Sequence, residues 1–567
     1  SSNAQNWDQI IKICASDRQA EDYYGCSVAI NGDYAIVGAR YEDHDEVGGS
    51  NKLEAGSAYI FKNESGTWTQ VQKIVASDRS AQDWFGSSVD IYGDYAVVGA
   101  HKEDEDESGA NTMESAGSVY VYKNISGTWT EIQKLVPSDR ATDDYFGYSV
   151  SISGDYIVAG AYLEDENAGG GSTMDNSGSA YIFYNNAGTW EQTQKIVASD
   201  RYDNDFFGYA VAIDGDYLIV GAYNEDENVG GTETLNASGS AYLFLNNAGT
   251  WDQIQKIVAS DREELDNFGW AVDIQGSYAI VGAYSEDEDE AGSNYLDEAG
   301  SAYIYKNNAG VWAETNKIVA SDREEGDRFG YSVAIFGDYA VVGAYLEDED
   351  ENGLNSHDNT GSAYIYKNNT GNWVEEQKIV AADRGVADWF GISVALSDTY
   401  IIAGAQLEDH DVNGENNYPS AGSAYIYQNC REINVRENTT DIADEGEYSF
   451  GVVPVGDNSG EIVFTIENTG VDNLLLTGDP KIEISGPEAA AFSVNQASVS
   501  SPLLPGTSTT FTIVFTPATV DLHTAQISIS NNDNDENPYN FTINGSGGNL
   551  TQTISGFDAI PDKVYGE

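Results

Sequence analysis

Positive charge is what this sequence most lacks. Lys and Arg number 26 against 94 Asp and Glu, for a formal net charge of −68 over 567 residues. Nothing here could neutralise a phosphate backbone, which excludes nucleic acid as a partner. The same deficit argues against docking on an anionic membrane surface. No apolar run is long enough for a transmembrane helix, so direct membrane insertion is not expected. Cysteine is scarce. Cys14, Cys26 and Cys430 fit neither a disulfide framework nor a metal-ligand spacing, and Cys14 reads as a small buried hydrophobe. His44, His101, His357, His410 and His523 sit at unrelated positions, and no Gly-x-Ser-x-Gly, Walker loop or His-Glu-x-x-His occurs. No catalytic constellation emerges, and the chain is expected not to be an enzyme. There is no signal peptide. Ser2-Asn3-Ala4 reads as a tag-cleavage scar, with a native leader expected to have been removed.

What is present is turn-rich and aromatic. With 59 Gly, 37 Tyr and only 2 Met, the composition is that of an all-β protein. An internal repeat organises most of it. Phe-Gly recurs at Phe85, Phe146, Phe207, Phe268, Phe329 and Phe390, after Tyr24-Gly25, always in steps of 61 residues. Trp7, Trp68, Trp129, Trp190, Trp251, Trp312 and Trp373 keep the same register, as does Asp-Arg from Asp17-Arg18 to Asp383-Arg384. Each of the seven repeats contains two short strands around a Gly-Asp turn, an acidic stretch, and two more strands joined by a tight turn. These are strands A, B, C and D, the composition of a propeller blade.

The ends of the array indicate closure. Residues 5–15 form a D strand with no A, B or C before it, and the last C strand, Gly422–Tyr427, has no Trp-bearing D strand after it. The N-terminal strand can complete the last blade, burying two edges that would otherwise invite aggregation. The expected fold over residues 5–430 is a closed seven-bladed β-propeller. The run "FGYSVAIFGDYAVVGA…GSAYIYKN…W" in the sixth repeat resembles the FG-GAP repeat of integrin-α-type propellers in its bacterial form. That resemblance implies an extracellular propeller used in adhesion or ligand binding. The integrin-type calcium loop lies between strands A and B. Here that connection is a tight turn such as Gly337-Asp338, so that site does not carry over.

Composition shifts after Cys430. Eight of the ten prolines lie beyond it and the period stops. Strand runs about every ten residues, divided by Gly, Pro and Asn turns, predict a β-sandwich over residues 431–547. The segment resembles Ig-like modules of the hydin and choice-of-anchor D type, which implies a structural unit of a large secreted or surface protein. Residues 548–567 read as a linker or the start of a further module. The chain is thus expected to be a monomeric fragment of a longer multidomain protein.

In an up-and-down blade the A–B and C–D turns share one face, and the B–C and D–A loops share the other. The first pair is minimal here, whereas the second is long and acidic. Binding residues usually lie on such loops. Every B–C loop begins Glu-Asp-x-(Asp/Asn)-x-x-Gly. The oxygen donors are Asp43 and Asp45, Asp104 and Asp106, Asp165 and Asn167, Asp226 and Asn228, Asp287 and Asp289, Asp348 and Asp350, and Asp409 and Asp411. Alternate donors followed by Gly make the front half of a calcium loop. The twelfth position varies (Glu54, Ser115, Asn176, Ala237, Glu298, Asn359, Ser420), so these are not EF-hands. Calcium is the expected cofactor, set against a merely solvated acidic surface. Crowded carboxylates favour the cation, because a pair about 5 Å apart repels by roughly 0.8 kcal/mol even in water.

The arginines of the D–A loop, Asp-Arg-x-x-x-Asp-x-Phe-Gly, are expected to pair with acidic neighbours. The Phe and Trp rows read as core between blades. Trp84, Trp270 and Trp389 break the repeat and are candidates for ligand contact, although packing is the simpler role. The functional expectation is a secreted or surface calcium-binding adhesion or ligand-binding module with an extracellular protein or glycan partner. The alternatives are a polysaccharide-acting enzyme and a purely structural spacer.

Overall fold

The computed structural model describes residues 7–549 apart from 50, 65, 355, 416, 430–432, 471–472, 505 and 534–535. Cys430, the expected boundary at 430/431, residues 1–6 and most of the expected linker at 548–567 lie outside the described residues. One compact unit spans Gln9–Gln428, and a second holds the Ig-like region.

The first unit contains seven four-stranded antiparallel sheets. In the first blade, strand A is Tyr24–Asn31, B is Tyr34–Ala39, C is Ser57–Glu64 and D is Thr67–Ile74. In the last blade, Phe390–Leu396, Tyr400–Ala405 and Ser423–Asn429 supply A, B and C, and Trp7–Ile13 supplies the fourth strand. The sequence therefore closes the ring where its terminal strands were expected to do so. Successive A strands pack side by side around the ring, including the first against the last, and line a central cavity of about 290 Å³.

Blades lock together by ring-on-edge packing. Trp68 meets Tyr400 of the last blade at 5.2 Å and 90°, and the same pair recurs as Trp129–Tyr34 and Trp190–Tyr95. The Trp row is core between blades, as expected, and so is the Phe row: Phe85 is fully buried and packs edge-on against Tyr120. Glycine recurs because blades approach through their backbones. A Cβ on Gly38 would lie 1.9 Å from the carbonyl oxygen of Gly86, and Gly86 itself has φ +87°. Inner-edge N–H groups are satisfied by the neighbouring blade: Ser27 Oγ accepts Val89 N–H at 3.0 Å, and Asp90 Oδ2 accepts Ile152 N–H at 2.7 Å.

The second unit packs a five-stranded sheet (440–441, 433–437, 462–468, 508–515, 492–495) against a four-stranded one (446–454, 539–548, 522–529, 483–485). Gly446–Pro454 pairs with Tyr539–Gly548 in parallel, and the other strand pairs are antiparallel. Alternate residues face inward, so Phe464, Phe511, Ile513, Ile527, Phe541 and Ile543 form a fully buried core.

Candidate functional site

The fourteen B–C and D–A loops form one hydrogen-bonded annulus on a single face. Each D–A loop pairs its backbone with the B–C loop of the preceding blade. Gln82 N–H donates to Leu53 O and Trp84 N–H to Glu54 O, and Asp143 with Glu114 repeats this one blade on.

The structure gives every residue of the Glu-Asp-x-(Asp/Asn) motif a distinct partner. Oδ1 of the first Asp accepts the N–H of the twelfth residue in all seven loops, at 2.6–2.8 Å. Those twelfth residues have φ between 50° and 56°, so the backbone, not the side chain, is what the position supplies. This accounts for its variety from Glu54 to Ala237. Oδ1 of the third-position Asp or Asn accepts two N–H groups, two and four residues on, at 2.8–3.2 Å. Asp and Asn interchange there because one oxygen performs the task. The Gly at position six has φ between 62° and 73°.

The preceding Glu is the least exposed member, at 0–1% in every blade. Sequence reasoning passed over its partner, a Lys at the end of strand D that recurs with the same period. Lys73 Nζ bridges Glu42 at 2.8 Å and Asp17 at 2.7 Å. Lys134, Lys195, Lys256, Lys317 and Lys378 repeat the bridge. Lys12, on the closing strand, does so for Glu408 and Asp383. The seven arginines donate mainly to the backbone carbonyl of the first Asp in the preceding blade, at 2.5–3.1 Å, rather than to carboxylates as expected; Arg18 also reaches Glu408. Among the described residues, the one group of three carboxylates whose oxygens lie within 4.8 Å of one another is Asp200, Glu225 and Glu227. Lys256 already bridges two of them.

The second Asp of each D–A loop is also buried. Burial pushes the carboxyls of Asp22, Asp205 and Asp327 up to about 8, those of Asp266 and Asp388 to about 7 and that of Asp144 to about 6, against one stabilising backbone N–H each; Asp83 moves the same way.

The repeat-breaking aromatics converge. The residue after each Phe-Gly opens strand A on the loop face and reads Cys26, Ser87, Tyr148, Tyr209, Trp270, Tyr331 and Ile392. The residue after strand B reads Arg40, His101, Tyr162, Tyr223, Tyr284, Tyr345 and Gln406. These two rows and the Trp84 and Trp389 rings form a continuous belt. His101–Tyr148, Tyr148–Tyr162, Tyr209–Trp270, Trp270–Tyr284 and Tyr331–Tyr345 lie 4.4–5.0 Å apart, Trp389 packs on Tyr345, and Trp84 links His101 to Tyr41. Tyr148, Tyr209, Trp270 and Tyr331 are half-buried. Burial holds the His101 imidazole down at about 3, hence neutral.

Family models match this chain over most of its length. The FG-GAP repeat model matches residues 7–61, 68–122, 129–183, 190–244, 251–305, 312–366 and 373–427, and a HYDIN/CFA65/VesB-like Ig-like domain model matches residues 443–546. No curated protein matches the chain. The matched unit begins at the Trp of a D strand and ends in strand C, one strand out of phase with the blade. Seven whole units therefore leave the first D strand to finish the seventh blade.

Proposed function

The chain belongs to the FG-GAP repeat family, and on that premise we propose that it is an extracellular or surface ligand-binding module whose loop face carries the binding surface. The Ig-like domain serves as a structural spacer. Repeat and Ig-like domains of these kinds are, as a rule, non-catalytic. Among the described residues no helix is long and apolar enough to cross a membrane.

One observation carries the reading. Positions that stay constant from blade to blade build the annulus, whereas two varying positions, one beside strand A and one after strand B, bring Tyr148, Tyr162, Tyr209, Trp270 and Tyr284 into one aromatic belt on the loop face. Partly buried aromatic rings such as Tyr148, Tyr209, Trp270 and Tyr331, held on a rigid scaffold, provide contact area at low entropic cost. The strict 61-residue register speaks against an asymmetric site built from one or two departing loops, and so against the enzyme alternative. Binding to protein and glycan arrays, wild type against Trp270→Ser, tests the proposal. The second blade carries Ser87 at that position, so the variant should fold. Loss of a specific array signal supports the reading; an unchanged profile removes the belt from it.

Calcium belongs to the proposal as a stabiliser of the B–C loops. The donor set is oxygen only, which suits a hard cation in kind. Asp43 with Asp45, and their counterparts, would hold it while sharing oxygens with the N–H donors described above. The loops with Asn167 and Asn228 offer less charge and should bind most weakly.

A further inference from the structure

The turn face is less plain than the repeat suggests. Between the third and fourth blades it holds a cavity of about 860 Å³. The Gly154–Asp155 and Gly215–Asp216 turns line it, together with Tyr92, Tyr156, Tyr184 and Asn246. Tyr92 is 44% exposed and Tyr184 38%. The rings of Tyr156 and Tyr184 lie 5.1 Å apart at 49°, and Tyr156 is braced edge-on by Trp251 at 5.3 Å.

This is a local break in the repeat. The positions equivalent to Tyr184 are Lys62, Lys123, Lys306 and Lys367 in four other blades, with Leu245 and Gln428 in the remaining two. In three of those four the Lys ammonium covers the strand-B tyrosine: Lys123 covers Tyr95 at 4.8 Å, Lys306 covers Tyr278 at 5.1 Å and Lys367 covers Tyr339 at 5.3 Å, whereas Lys62 pairs with Glu64. In the third blade an aromatic ring replaces the cation, and the lining contains no Lys, Arg or His.

We propose that this cavity is a binding site for a neutral saccharide. Tilted, half-bare tyrosine rings present apolar faces to the C–H face of a pyranose while their hydroxyls remain wet. Hydroxyl groups both donate and accept, and the walls offer both kinds of partner. Asp155 and Asp216 are exposed acceptors. Asn246 Oδ1 is engaged by Gly249 N–H at 2.7 Å, which leaves its NH2 group to donate. With carboxylates and no cation in the wall, uronates, sulfated sugars and phosphates are rejected. A metal is disfavoured because Asp155, Asp214 and Asp216 do not converge as Asp200, Glu225 and Glu227 do. The volume falls in the range of roughly 300–1,000 Å³ typical of small-molecule sites.

The site is separate from the loop-face belt, so the two readings fail independently. The test uses the full chain on an array of neutral gluco-, manno-, galacto- and xylo-oligosaccharides beside uronate and sulfated ones, followed by calorimetric titration with the neutral hits. Tyr184→Lys restores the residue of four other blades and should leave the melting temperature unchanged. It should weaken binding by about tenfold or more, equivalent to about 1.4 kcal/mol. Asp216→Asn should weaken binding without unfolding, and Trp270→Ser should leave this binding intact. The proposal is overturned if no neutral saccharide binds, if Tyr184→Lys binds as wild type does, or if tetramethylammonium binds and saccharides do not.

Discussion

At the residue scale, the acidic motif is a set of backbone clasps. Asp287 Oδ1 takes Glu298 N–H at 2.7 Å, and its carbonyl takes Leu296 N–H and Arg323. Asp287→Ala removes one of those acceptors and should cost about 1–2 kcal/mol even in EDTA. Asp289→Asn keeps the Oδ1 that accepts Ala291 and Ser293 N–H, and should be nearly neutral, as Asn167 and Asn228 already attest. Glu290→Ala, on an exposed side chain, should be neutral or slightly stabilising. Urea unfolding with and without calcium separates the metal from the clasp. If calcium binds, it raises wild-type stability and the Asp287→Ala deficit widens in its presence. No shift of wild type at millimolar calcium rejects the metal.

At the scale of elements, each blade is tied by a Lys held between two carboxylates at the end of strand D. In the fifth blade Lys317 is 6% exposed and Glu286 fully buried. Glu286→Ala strands Lys317 with Asp261 alone, and Ser301 Oγ loses its acceptor. The expected cost is about 3–5 kcal/mol, the range for removing one partner of a buried ion pair. Lys317→Met should cost less than Glu286→Ala, because Glu286 keeps the Ser301 hydroxyl and the Glu288 N–H as donors, whereas Lys317 without Glu286 keeps only Asp261. The urea midpoints of the two variants decide this, and equal midpoints would show that the unpaired charge is not the source of the loss.

At the scale of the whole molecule, the seven buried D–A aspartates set the pH response. Their folded pKa values lie above the ordinary carboxyl value, so the native state binds the extra protons. Stability is therefore gained as pH falls from about 8 toward 4 and lost as it rises through that window. His101 acts in the opposite sense, because its folded pKa is depressed and it costs stability below its usual value near 6.5. One histidine against seven aspartates leaves a net gain, to which relief of the −68 charge adds. In EDTA, the melting temperature at about pH 5.5 should exceed that at about pH 8; a flat or inverted profile contradicts the assignment. Closure is testable at the same scale. Removing residues 5–15 leaves Ser423–Asn429 as an open edge and takes Lys12 from Glu408 and Asp383. Aggregation or loss of cooperative unfolding is expected. A truncated monomer with an unchanged melt would refute closure by this strand.

The sequence by itself determined the blade count, the four strands of each blade, the closing strand and the two faces. All of these follow from a fixed period and from strand alternation, which are local and repeated seven times. It also determined that Asp43, Asp45 and their counterparts are special, because a recurring residue type at a recurring position needs a reason. Tertiary structure alone decided what that reason is. The N–H groups those oxygens accept are brought to them by loop closure, and the Lys partners of the buried Glu row arrive from a strand some thirty residues away in the chain. It likewise decided where the irregular residues meet. Tyr148, Tyr209 and Trp270 stand 61 residues apart in sequence, yet they join one belt because the ring sets neighbouring blades side by side. Tyr92, Tyr156 and Tyr184 share a cavity for the same reason, since the second, third and fourth blades bring their turns together there.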